Sequence, residues 1–280
     1  MSHKARTELA NKNMTRQNNP ESLFCGYIHQ RETMSDDLKA YASEFLGTAI
    51  LMIGGISAIS ISFGVESQLG TLIPNQTLKL ALAGAGFGLG VLVVVYSALG
   101  HTSGGHLNPA LTIAFWIQKK IETRQLIPYI SCQCLGSLTG TWLVATLIPN
   151  LSSSVGHGVT SVATTITPGV AILLEALLTM AFILMIFWMT SCHDRARYTG
   201  LCVFLFLVIF VPLEAPLTGT SINPARSIGP AIYANNYADL AIYIFGPLMG
   251  ATAGSFIARY ILNHQPKCKR VCGLPKRMIE

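Results

Sequence analysis

Apolar residues fall into six long blocks along the chain, at about 41–63, 78–99, 126–148, 168–189, 199–217 and 239–262. Roughly 20 apolar residues in a helix cross a ~30 Å hydrocarbon layer, so each block predicts a transmembrane helix. Residues 1–40 are polar, with mixed charge and Asn/Gln clusters, and predict a flexible tail. Residues 263–280 form a second, basic tail. About forty polar residues precede the first apolar block, which is not the arrangement of a signal peptide.

Two shorter elements lie between blocks two and three and between blocks five and six. Asn108-Pro109-Ala110 opens LTIAFWIQ, and Asn223-Pro224-Ala225 opens RSIGPAIY. Asn is a strong N-cap and Pro is favoured at the first helical position, so each triplet predicts a helix start. Some ten residues at 1.5 Å each give about 15 Å, half of the hydrocarbon thickness. Both are therefore half-helices that enter the membrane and stop midway. Irregular backbone at that depth is tolerated only where protein buries it or where it lines a watery path.

The chain also repeats itself. The two Asn residues are 115 apart, while Tyr129-Ile130 matches Tyr243-Ile244, Gly136 matches Gly250 and Gly140 matches Gly254 at an offset of 114. Each glycine pair is a GxxxG, which lets helix backbones approach closely. Repeats at about 41–148 and 168–262 contain three spans each, an odd number, so the second is inverted relative to the first.

Charge then fixes the expected orientation. Of 19 Lys and Arg residues, all but Lys79 and Arg226 fall in the two tails, at the C-terminal end of the last block, in the loop between blocks two and three, or in the loop between blocks four and five. The positive-inside rule puts both termini in the cytoplasm. Only 11% of residues are charged against 51% hydrophobic, too few to cover a soluble domain and too sparse for a nucleic-acid surface. No nucleophile–base set or metal cluster stands out, so neither an enzyme nor a cofactor is expected. His101 and His106 read as structural loop residues. The seven scattered cysteines predict neither a disulfide framework nor a zinc site.

GHTSGGHLNPALT (100–112) and TGTSINPARSIGPA (218–231) resemble the two signature loops of the aquaporins, or major intrinsic proteins. The resemblance covers about residues 41–262. It implies an all-α membrane protein with six transmembrane helices and two re-entrant half-helices in inverted repeats, assembled as a homotetramer in lipid. A plasma membrane, with the bacterial inner membrane favoured, is the expected location. The implied function is a passive channel for water and some small uncharged solutes, excluding protons and ions. The alternative is a facilitator for glycerol or another small neutral solute. A secondary transporter would need a coupling acid facing a cavity, for which only Glu214 is a candidate, and a junction protein would not need an open pore.

Residue by residue, the resemblance implies that Asn108 and Asn223 donate to solute at the midplane. Backbone carbonyls of Gly104, Gly105, His106, Gly219 and Ser221 would carry the solute file. Glu44 and Glu175 would brace the loops. Counting from the triplets assigns a selectivity filter of Gly88, Val211, Thr220 and Arg226, with Phe87 as the alternative to Gly88. Ser227 and Gly229-Pro230-Ala231 resemble the water-selective branch, whereas Gly88 and Val211 suggest a wider, greasier filter. Glu214 has no assigned role.

Overall fold

A computed structural model describes residues 34–264. Eight helices carry the architecture: α1 (Met34–Phe63), α2 (Gln76–Val95), α3 (Pro109–Ile117), α4 (Thr123–Leu147), α5 (Pro168–Thr190), α6 (Thr199–Thr218), α7 (Pro224–Tyr233) and α8 (Leu240–His264). Short helical turns fill the connections. All but α3 and α7 are long and apolar enough to cross a membrane. The six spans match the six apolar blocks, with two shifts at their ends.

Helix α1 starts at Met34, inside what the sequence presents as tail. Asp36 and Asp37 occupy its first turn, where the helix dipole favours anions. Asp37 is buried and held by Gln125 Nε2 at 2.6 Å and Arg124 at 3.2 Å, which ties this start to α4. Helix α2 ends at Val95, before the apolar run does, because Ser97 caps a separate turn at Ala98–Ser103. The remainder of both tails lies outside the described residues.

Glycines set the distances between helices. A Cβ on Gly136 or Gly140 would lie 2.2 Å from Phe45 O or 2.6 Å from Ala49 O, so α4 packs backbone-close on α1. Gly250 and Gly254 do the same between α8 and α5, where the distances are 2.1 Å to Ala176 O and 3.1 Å to Met180 O. Helices α2 and α6 meet across the repeat boundary, and the half-helices swap sides: α3 packs on α8, and α7 on α4. A buried core of Met52, Val94, Leu107, Phe187 and Val203 runs through both halves.

Cys132, Cys134 and Cys202 are free, as apolar-run thiols should be. Cys192 is disulfide-bonded, and its partner lies outside the described residues.

Candidate functional site: a cavity between two half-helices

Both half-helices are built by the same device. Asn108 is extended (φ −154°) and its side-chain oxygen accepts from Ala110 N at 2.8 Å and Leu111 N at 3.4 Å. Asn223 (φ −147°) accepts from Ala225 N at 3.0 Å and Arg226 N at 3.4 Å. Pro109 and Pro224 take the first helical positions, where their missing N–H costs nothing. The two N-termini face each other. Asn108 Nδ2 donates to Ile222 O and Asn223 Nδ2 to Leu107 O, both at 2.9 Å. Each amide nitrogen carries two hydrogens, so one remains for the cavity that both Asn residues line.

Leu107 (φ 54°) and Ile222 (φ 46°) are left-handed, an arrangement that costs energy for bulky side chains and persists only where the surroundings enforce it. The enforcing groups are two acids, each 0% exposed. Glu44 accepts His106 N at 2.9 Å and Leu107 N at 2.8 Å; Glu175 accepts Ser221 N and Ile222 N, both at 2.8 Å. Two tyrosines repeat the symmetry, with Tyr129 OH donating to Ser103 O at 2.8 Å and Tyr243 OH to Thr218 O at 2.6 Å. Gln133 adds a donor to Glu44 at 2.7 Å and to Thr112 Oγ1 at 2.9 Å. No motif or repeat match singles out Gln133, whereas Tyr129 and Tyr243 stand in the repeat alignment without a role.

The cavity between the loops measures about 310 Å³. Gly104, Gly105, His106, Asn108, Val211, Gly219, Thr220, Ser221, Asn223 and Arg226 line it. Pro109, Ala110, Pro224 and Ala225 are buried behind the lining. His106 stacks on Phe115 (4.7 Å between ring centres, 4° between planes), and its Nδ1 is 3.0 Å from Thr112 Oγ1. That is the environment of a packed loop residue.

Gly88 is the exception. It does not line the cavity; Phe87 does. A Cβ at Gly88 would meet Phe204 at 2.8 Å, and one at Gly84 would meet Leu207 O at 2.4 Å. These two glycines form a GxxxG face of α2 against α6, so Gly88 serves close packing. Phe87, one residue earlier, turns to the cavity, where its ring centre lies 5.0 Å from the Arg226 guanidinium. Arg226 is buried, and its Nη1 donates to Gly158 O at 2.6 Å. Thr160, Ser227 and Ser221 form a hydroxyl chain beside it, with links of 2.8 and 2.7 Å.

Two facing helix N-termini, a cavity threading between them and a buried arginine on its wall define a membrane channel. Residues 31–258 match the model of the major intrinsic protein family, and the chain belongs to that family. Its members are channels and not enzymes. The chain is 36% identical over 229 residues to a glycerol uptake facilitator protein-like 6 of Lactiplantibacillus plantarum, covering 79% of this chain and 97% of that one. Aquaporin-4 of Mus musculus is 34% identical over 83% of this chain and 70% of its own. Aquaporin Z of Bradyrhizobium diazoefficiens is 30% identical over 82% and 95%. The fold matches the X-ray structure of the aquaglyceroporin from Plasmodium falciparum with a TM-score of 0.68 at 22% identity, covering 81% of this chain and 96% of that one. The protein is thus an integral multi-pass membrane channel of this family.

Proposed function

We propose that this channel conducts water, passes small uncharged solutes such as glycerol more slowly, and excludes ions and protons. One observation carries the reading: Phe87 and the buried Arg226 face each other across the cavity wall, 5.0 Å from guanidinium to ring centre. That pair puts a bulky ring and a fixed positive charge where a wider pore would need space. Val211 and Thr220 complete the filter. Arg226 offers donors to water and repels cations. At the Asn pair, two helix N-termini each present about +0.5 charge, which opposes cations and turns each water so that protons are not relayed.

Val211 favours the second reading, a glycerol facilitator, because an apolar wall discriminates less against a carbon backbone. Glu44 and Glu175 act as loop braces in either case. We place both termini in the cytoplasm, from the distribution of basic residues. A homotetramer in the lipid of a plasma membrane, the bacterial inner membrane in particular, fits the family.

Stopped-flow swelling and shrinking of proteoliposomes tests the solute list. Water flux with a low activation barrier, glycerol flux at least about tenfold lower and no ionic current are expected. Equal glycerol and water permeability would give the facilitator reading instead. External protease that cuts the tails of intact cells would reverse the orientation.

A further inference from the structure

The connection between α4 and α5 puts Gly158, Thr160 and Ser161 on the cavity wall. It touches α7 at two neighbouring points. Gly158 O accepts Arg226 Nη1 at 2.6 Å, and Thr160 Oγ1 lies 2.8 Å from Ser227 Oγ. Arg226 and Ser227 are adjacent on α7, and Gly158 and Thr160 are two apart on the connection. The second contact is made behind the wall, because Ser227 is buried and does not line the cavity.

Counting hydrogens gives this contact a direction. Ser221 Oγ donates its one hydrogen to Asn223 O at 3.0 Å, so it accepts in its 2.7 Å contact with Ser227 Oγ. Ser227 has then used its own hydrogen, and Thr160 donates to it. A single file of donors therefore runs from Thr160 through Ser227 and Ser221 to the backbone of Asn223, the cap of α7.

The first half closes the same pattern with a different partner. His106 and Thr112 stand where the second half has Ser221 and Ser227, two before and four after each Asn, and they touch at 3.0 Å. Their third member is Gln133 of α4, which donates to Thr112 Oγ1 at 2.9 Å. At the repeat offset of 114, Gln133 corresponds to Pro247 of α8, whose side chain has nothing to donate. A connection thus supplies in the second half what a membrane helix supplies in the first.

That connection needs fastening. Val162 N on Asp239 Oδ2 and Ala163 N on Leu217 O, both at 2.9 Å, tie it down only beyond Thr160. On the other side, His157 (φ 54°) and Gly158 (φ 79°) are left-handed, and a glycine backbone is the freest to rotate. Thr160 fastens the connection to α7 between these points.

We propose that Thr160 is a positioning residue of the filter: its hydroxyl clasps the α4–α5 connection to Ser227 and so keeps the Gly158 carbonyl on Arg226. This rests on the cavity being the conduction path.

The test compares water and glycerol permeability of wild type, Thr160→Val, Thr160→Ser, Ser227→Ala, the Thr160→Val/Ser227→Ala double variant and Phe87→Ala, with Thr160→Val also made in an Arg226→Leu background. Valine keeps the shape of threonine without its hydroxyl, and Ser227→Ala cuts the same link from a residue off the wall. Each should raise the glycerol-to-water ratio about fivefold, an ordinary coupling between contacting residues. Thr160→Ser keeps the donor and should stay within about twofold of wild type. The double variant should match Thr160→Val rather than multiply the two effects, since both changes cut one link. It leaves neither hydroxyl stranded, so it carries the comparison if Ser227→Ala fails to reconstitute. In the Arg226→Leu background, Thr160→Val should change the ratio by less than about twofold, because the Gly158 carbonyl then has no guanidinium to hold. An unchanged ratio in Thr160→Val, a Ser variant as altered as Val, multiplied effects in the double variant, or an undiminished effect beside Arg226→Leu would each overturn the proposal. If wild type passes no water and Phe87→Ala changes nothing, the conduction path itself is wrong, a result that involves no change at residues 160 or 227.

Discussion

The two re-entrant loops share a skeleton and differ in what they show the cavity. In each, an Asn caps a half-helix and reaches the opposite loop, an acid holds two consecutive N–H groups, and a tyrosine ties the loop entrance. The lining then diverges. As repeat counterparts, Gly105 stands where the second half has Thr220, and Leu111 where it has Arg226. Symmetry thus belongs to the parts that hold the backbone. Arg226, the charged group on the wall, lies in the second loop, so the repeat is broken at lining positions while the frame stays intact.

Removing either acid breaks the frame, and the largest effect follows. Glu44→Ala strands His106 N, Leu107 N and one hydrogen bond of Gln133 in a dry interior, at roughly 1–3 kcal/mol for each unsatisfied group. Glu175→Ala does the same to Ser221 N and Ile222 N. Both variants should lose most water permeability and melt earlier in detergent. A tolerated Glu44→Ala beside a lethal Glu175→Ala would show that the frame is not symmetric after all.

Changing the lining sharpens the comparison instead. Arg226→Leu gives the second loop the residue of the first, Leu111, and should raise glycerol flux about tenfold with only a weak ion leak. Phe87→Ala should raise glycerol flux less, by about threefold, because Arg226 stays held by Gly158 O. Gly88→Ala makes the contrasting case. Its new Cβ would push on Phe204, and overpacking costs about 1–3 kcal/mol, so thermal stability should fall while the glycerol-to-water ratio stays put. A changed ratio in Gly88→Ala would return that residue to the filter.

Much of this arrangement is legible in the residues alone. Spans follow from the length of apolar blocks, half-helix starts from Asn-Pro, close helix pairs from GxxxG, and the loop acids from their rarity in apolar runs. Gly88 shows where such reading stops. Counting from the triplet lands one residue from Phe87, which lines the cavity, and which of two neighbours does so depends on how α2 is rotated against α6. Gly84 and Gly88 decide that rotation by packing on Leu207 and Phe204. The start of α1 was hidden for a related reason: Asp37 looks like tail until Gln125 and Arg124 are brought to it. Glu214 is visible as an acid, whereas the Thr218 hydroxyl that it shares with Glu175 is brought to it only by the fold.

The ends of the half-helices away from the cavity supply the smallest predicted effect. Both close with the same turn: Lys119 (φ 55°) and Asn235 (φ 50°) are left-handed, with Lys120 N on Phe115 O and Asn236 N on Ala231 O at 2.9 Å. The halves differ again in charge, because Lys120 stands where the second half has Asn236. Its ammonium lies 5.5 and 5.4 Å from the Phe115 and Phe187 ring centres, and burial pushes its pKa down to about 8. The unfolded chain would hold that proton to about 10.4. Between those values the unfolded state binds more protons than the folded one, so the wild type gains stability as pH rises through that window. Lys120→Met keeps the apolar stem and has no proton to lose. It should therefore be the more stable protein at pH 7, with the difference shrinking as pH climbs past 8 towards 10. Thermal melting of the two proteins across that range reads the difference directly. A gap that does not change with pH would mean that the rings and the carboxyl-terminal dipole of α3 hold the charged form as well as water does.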